Sequence, residues 1–443
     1  MADVTPMRTG AETALVDMFP AVKASLPGTA KVADARKAAL ERFQAVGLPH
    51  RRIEAWHYTD LRGLLREAAP IAPAPDASAI ASVQSAGDPL GDIDGIRLTL
   101  VDGHLVPTLS ALDRLPEGLE VTPLATALAK GHPLVDAHMG SIARAADDPL
   151  PALNAAFVSD GVVLRVVEGT ALDEPIIVRN VLTGDTPAAT FTRILLVVEE
   201  GASVTLVENH EAFGGVAHQG NSVVEILVGD RSQVEHVRVN ARGGNGFDLS
   251  TLGVRLGEAA TFRSVALAVS PAVTRHQIGV VFAGEGASLS VGGGALLNGS
   301  QHADTTLLVD HAVPHGVSRE LFKHVLDGEA TGVFQGKIVV RPDAQKTDGR
   351  MMSQAVLLDD GAAMNNKPEL EIFADDVQCA HGATCGALDE DLLFYLRARG
   401  LPLPEAEALM LQAFVGEAME LIAHEGVRTV LEGVVESWLR ARM

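Results

Sequence analysis

The chain has 443 residues, 47% of them hydrophobic, and its 57 acidic side chains outnumber 35 Lys and Arg for a formal net charge of −22. That length predicts two or three domains with a substantial core, and that charge excludes a phosphate-backbone binder and disfavours anionic membranes. No apolar run reaches the roughly 18 residues of a bilayer span, no basic-then-apolar leader opens the chain, and two cysteines make no disulfide framework. A cytoplasmic protein is expected, with neither nucleic acid nor membrane as partner.

Residues 1–150 read as a mainly helical N-terminal region with a linker. ADARKAALERFQAVGLP (33–49) places Leu40, Phe43 and Val46 at helical spacing, and Gly47 and Pro49 stop it. RRIEAWHYTDLRGLL (51–65) brings aromatic rings together, and the Ala/Pro/Asp-rich stretch 68–95 reads as a linker or surface loop. A short strand is expected at IRLTLVDG (96–103).

The character changes near residue 155. GVVLRVVEG, PIIVRNVL, RILLVVEEG, SVTLVENH, SVVEILVGD and QVEHVRVN are Val/Ile/Leu runs bounded by Gly, Asp and Asn, which is a strand pattern. No long helical segment intervenes before residue 388, so a βαβ fold is not expected. Acidic-glycine turns recur at 199, 228, 256, 283, 326 and 358, with four of the five intervals near 27–32 residues and one longer. That period predicts a stacked β-solenoid over 151–386, with a β-sandwich of similar hairpins as the competing architecture.

Residues 387–443 read as a C-terminal helical domain. Leu388, Leu392, Leu393 and Leu396 begin helical spacing, and Leu411, Phe414, Val415, Met419 and Ile422 form an apolar stripe. A further helix is expected after Gly426, carrying Val430, Leu431, Val434, Val435 and Leu439.

The chemistry-bearing stretch is DDVQCAHGATCG (375–386). Cys379 and His381 stand two apart at what reads as a strand end, so thiol and imidazole face one side, a donor pair suited to zinc or iron. With Cys385 they make C-x-H-x3-C. Asp375, Asp376 or a second subunit are candidates to complete a tetrahedral site. The alternative is a buried cysteine and a hydrogen-bonded histidine of purely structural role. HADTTLLVDHAVPHG (302–316) clusters His302, Asp304, Asp310, His311 and His315, but Asp310 and His311 are adjacent and would face opposite ways on a strand, which favours a structural reading.

Other catalytic patterns fail on specific residues. GEATGVFQGKIVV (328–340) lacks a phosphate loop because Thr331 and Ile338 stand where glycine and a hydroxyl are required. VGGGALLNG (291–299) lacks the dinucleotide fingerprint. Aromatic residues are only 4%, which weighs against stacking on glycans.

The stretch 375–401, with KPELEIFADD (367–376), VFQGKIVVRPDAQKTDGR (333–350) and RRIEAWHYTDL (51–61), resembles the SufB/SufD family of iron–sulfur cluster assembly proteins. The likeness runs through most of 50–443. It is closer to the SufD branch, because GRMMSQAVLLDDG (349–361) lacks the upstream cysteine of the SufB branch. The resemblance implies a mainly β fold, a right-handed parallel β-helix between N- and C-terminal helical regions. It implies a non-catalytic scaffold subunit that pairs with SufB and the ATPase SufC, with a nascent iron–sulfur cluster forming at the SufB–SufD interface.

His381 matches the family histidine and becomes the expected metal ligand, with Cys379 in support. Cys385 departs from the pattern, where an apolar residue is usual, so the resemblance carries no ligand role to it. The terminal helices match the region used to bind SufC, and covering the solenoid end is their other possible role. Reduced flavin is also linked to the family complex, and no residue localises it. Homodimerisation, a β-helix enzyme acting on glycans, and a structural solenoid with a metal cap at Cys379, His381 and Cys385 are the competing expectations.

Overall fold

The computed structural model describes residues 8–143, 148–241, 246–269 and 272–442. Its strands alternate between two sheets, a nine-stranded and a ten-stranded one, and each strand from Ala189 onward pairs in parallel with the strand two before it. The result is a β-solenoid of about seven turns flanked by helices. The in-register ladder Ala189–Val198, Gln219–Val228, Phe247–Leu256, Val273–Phe282, His302–His311, Thr331–Val340 and Ala363–Ile372 makes most of the first sheet. Both faces of Ala189–Val198 and Gln219–Val228 are largely buried, so these two strands carry near-continuous apolar runs rather than alternating ones.

The recurring turns have a common physical basis. Gly201, Arg231, Ala259, Gly286, His315 and Lys346 all adopt positive φ, between 51° and 69°. Each donates its backbone N–H to a carbonyl of the next coil, as in Gly201 to Asp230 at 2.9 Å and Lys346 to Asp376 at 2.7 Å. This hydrogen-bond ladder offsets the left-handed strain at the four non-glycine positions. These six residues line one edge of the solenoid. The sequence turns at 326 and 358 belong to the opposite edge, where Gly328 also has positive φ. The longer interval between 283 and 326 is therefore about one and a half coils.

Helices cover both outer faces. Ala30–Val46 and Pro149–Phe157 pack with Gly10–Val22 on the nine-stranded sheet, here the N-side sheet, around Phe43, Phe157 and Phe191. Leu403–Met419 and Glu425–Arg442 lie on the other, the C-side sheet, with Leu411, Val415, Met419 and Leu431 against Val237, Val265, Leu296 and Val325. The C-terminal stripes thus cover a flat face of the solenoid rather than its end. Each such large apolar side chain contributes about 1.5–3 kcal/mol on burial. The stretch 68–95 is more ordered than its composition predicts. It holds a helix, Ala77–Ala86, capped by Asp76, with Val83 buried against Val101 and Val181.

The segment around EAWHYTD is a strap on the N-side sheet. The Arg275 guanidinium stacks 3.7 Å from the Trp56 ring and donates to Ala55 O at 2.7 Å. Asp304 pairs with Arg275 and accepts from Thr59. His302 bonds Thr59 Oγ1 at 2.9 Å. On the same strand Asp310 faces out to Arg341 at 2.8 Å while His311 faces in, stacked on Phe282. These residues play the structural role expected of them.

Candidate functional site

The two ends of the solenoid differ. At the N-terminal end antiparallel strands, His104–Leu105 and Leu119–Pro123, finish the two sheets. At the other end Ala363–Ile372 and Gln378–Gly386 each pair on one side only, leaving two edges. An unpaired edge is a template for association. Pro368, which has no N–H to offer, sits in one of these edge strands, as proline in a sheet should. Ile372 and Phe373 are exposed there, Phe373 by 62%.

Cys379 and His381 lie on the edge strand Gln378–Gly386, near its start rather than at its end, opposite Gly349 and Met351. Cys379 is half-buried against the inner core, to which Met351 also belongs, and His381 is exposed. Two residues apart on a strand, they face the solenoid interior together at its open end. Burial pushes the Cys379 thiol up, with Asp348 and Glu320 adding to the effect and a Gly349 backbone hydrogen bond opposing it. Its thiolate therefore needs a metal or a proton acceptor to form near neutral pH. Cys385 is exposed, with its thiol also raised by burial.

The strand separates the expected ligands. Cys385 is six residues beyond Cys379, a span of about 20 Å on an extended strand, too far to share one ion. Among the described residues no three His, Cys, Asp or Glu side chains converge to hold a metal. Asp376 is engaged with Lys346. The arrangement does not support a closed metal cap from Cys379, His381 and Cys385. It supplies two donors, one soft and one intermediate, which is half a tetrahedral site.

Sequence reasoning missed the inward residues beneath this pair. Glu320 stands opposite Met351 in the strand next to it, fully inside, and neither carboxyl oxygen has a hydrogen-bond partner among the described residues. Burial raises its pKa to about 8, against smaller opposing effects of Ser318 and Arg319. The Ser318 hydroxyl is engaged with His311 Nε2 at 3.1 Å. Only the period-two alternation of VSRELFKHVL, read with the inner face assigned, marks Glu320 as interior.

Further from the open end the interior is also polar. Glu208 accepts from His236 at 2.8 Å and His210 at 3.2 Å. Burial alone would raise Glu208, but these two imidazoles hold it well below the usual carboxylate range. Arg238 and Asp248 pair at 2.5 Å in the same layer.

One end of the solenoid is finished by antiparallel strands, and the open end carries the thiol–imidazole pair on an edge strand. A family model described as SUF system FeS cluster assembly, SufBD core domain, matches residues 180–414, and one for the SufBD protein N-terminal region matches 10–178. The chain belongs to the SufBD family of iron–sulfur cluster assembly proteins. It is 30% identical over 399 residues to a SufBD family protein of Synechocystis, covering 87% of this chain and 86% of that one. It is 28% identical to the iron–sulfur cluster assembly protein SufD of Escherichia coli, covering 88% and 89%. It is 26% identical to SufD of Bacillus subtilis, covering 72% and 74%. None of the helices among the described residues is long and apolar enough to cross a membrane.

Proposed function

We propose that this chain is the SufD-type scaffold subunit of a complex with SufB and the ATPase SufC, and that it has no turnover of its own. The observation that carries the reading is the incomplete donor pair: His381 exposed beside half-buried Cys379, on an edge strand with an unpaired side. A SufB solenoid abutting this end would pair the free edges and supply the remaining ligands, so that iron and sulfide assemble as cargo between the two chains. His381 is the accessible ligand. Cys379 joins it once its proton has been removed.

SufC docking is assigned to the helix Glu390–Ala398. Leu392, Phe394 and Tyr395 are exposed on it, Phe394 by 74%, although Asp389 caps the helix. Leu393 and Leu396 are half-buried, and the apolar side chains that stay exposed around them offer surface for a partner's groove. The two following helices already cover the C-side sheet, so removing them would uncover the core rather than test docking. ATP-driven closure of SufC would move Glu390–Ala398, which joins the edge strand through a short connection from Gly386.

The test is co-expression with the candidate SufB and SufC and native mass measurement of the product. The reading predicts one complex of all three chains. It predicts that Leu392→Asp with Phe394→Asp removes a SufC copy and leaves SufB bound. A chain that runs alone, or only as a homodimer, in the presence of both partners contradicts it.

A further inference from the structure

A cavity of about 430 Å³ lies between the helix Ala30–Val46 and the outer face of the N-side sheet. Its strand, Ala189–Val198, is six strand spacings from the edge strand Ala363–Ile372, roughly 30 Å along the solenoid. The cavity is therefore separate from the Cys379–His381 end. Val32, Leu128, Met139 and Val158 wall it, and three arginines, Arg36, Arg42 and Arg193, line it. Three guanidinium groups in one apolar cavity stand out in a chain whose net charge is −22.

The charges there are incompletely compensated. Arg193 is fully buried, with Nε on Asn154 Oδ1 at 3.1 Å and Nη1 on Glu225 Oε2 at a long 3.4 Å. Glu225 is already taken up by the backbone N–H groups of Gly140 at 2.7 Å and of Ile142 and Ala143 at 3.1 Å. Among the described residues Arg193 Nη2 has no partner. Arg36, also buried, donates to Ala156 O at 3.1 Å and Pro27 O at 2.8 Å, meets no carboxylate among the described residues, and leaves Nε unbonded. Burial lowers the Arg36 pKa to about 10, and the Arg193 charge adds to that. A buried donor left unmet is destabilising, the more so beside a like charge.

We propose that this cavity binds a small organic anion, with its acidic head on the Arg36–Arg193 pair and an apolar body along the Val32, Leu128, Met139 and Val158 wall. An apolar pocket of this size with a few convergent polar groups is the usual form of a small-molecule site. Guanidinium forks select planar or tetrahedral oxyanions. The apolar walls reject inorganic phosphate and acetate and favour an amphipathic carboxylate or sulfonate. The site does not depend on the iron–sulfur reading.

The experiment is fluorescence titration of the full chain with 8-anilinonaphthalene-1-sulfonate, followed by competition with octanoate and with 1-octanol. Octanoate should displace the dye at a concentration about tenfold or more below that of octanol. Ala38, exposed and part of the cavity lining, is the place to obstruct it. Ala38→Trp should weaken octanoate about tenfold at an unchanged melting temperature. Arg36→Gln, if it folds, should erase the preference for octanoate over octanol; if it does not fold, Ala38→Trp still decides the matter. Equal competition by octanol, unaltered octanoate affinity in folded Ala38→Trp, or no binding by the wild type overturns the proposal.

Discussion

Glu320 and His381 stand in one inward-facing column of the C-side sheet, with Met351 as the single residue between them. Two strand spacings, about 10 Å, separate their backbones. A buried, neutral carboxyl thus underlies an exposed imidazole at the open end, with the half-buried Cys379 thiol beside that imidazole.

The Glu320 carboxyl makes stability depend on pH with a defined sign. Its folded pKa is raised from the ordinary 4.5 to about 8. The native state holds this proton more tightly, so the stabilisation is complete below pH 4.5. It is lost as pH rises to about 8 and is level beyond. The loss is on the order of 5 kcal/mol by linkage. Urea titrations of Glu320→Gln and wild type across this range should show the variant gaining several kcal/mol relative to wild type from pH 4.5 to 8. Parallel curves would show that Glu320 is ionised in the native state.

Cys379 should react slowly. In a Cys385→Ser background, iodoacetamide labelling at pH 7.5 should fall at least several-fold below that of a free peptide thiol, because burial raises the thiol and restricts access. The rate should climb as pH passes 9. Peptide-like labelling at neutral pH would mean that the thiol is neither raised nor occluded.

Asp304→Asn should loosen the strap over the N-side sheet. The substitution leaves Arg275, fully buried beneath Trp56, without its carboxylate. Loss of one partner of a buried pair costs about 3–5 kcal/mol. The check is urea denaturation with emission of Trp56, isolated by Trp438→Phe. An unchanged midpoint would contradict the assigned role.

Leu411→Ala and Phe394→Ala should differ sharply. Leu411 is fully buried on the C-side sheet, and Phe394 is 74% exposed. The first should cost about 2–5 kcal/mol, and the second should stay within about 0.5 kcal/mol. Equal effects in thermal denaturation would show that the helix Glu390–Ala398 packs somewhere in the isolated chain.

Much of the fold was legible because strand runs such as SVTLVENH begin after turns whose left-handed residues, Gly201 in this case, repeat once per coil. Two turns of that edge, HAVPHG and PDAQKT, hid because no glycine beside an acidic residue marks them, whereas Gly229–Asp230 and Gly257–Glu258 mark the turns in which Arg231 and Ala259 are left-handed. Inward and outward faces were not legible. The strand Ala189–Val198 is buried throughout, so its sequence carries no alternation to read. Cys379 and His381 were visible as an i, i+2 pair. Glu320 was not, since its meaning depends on a column built by three separate strands. The end at which the solenoid stays open also follows from pairing partners far apart in sequence.

The most direct measurement is anaerobic iron and sulfide loading of the purified three-chain complex carrying His381→Ala, read by absorption and by bound iron per complex. The account predicts an intact complex of wild-type mass with cluster yield reduced about tenfold or more, as loss of a metal ligand entails. A normal cluster yield from that intact complex would contradict it.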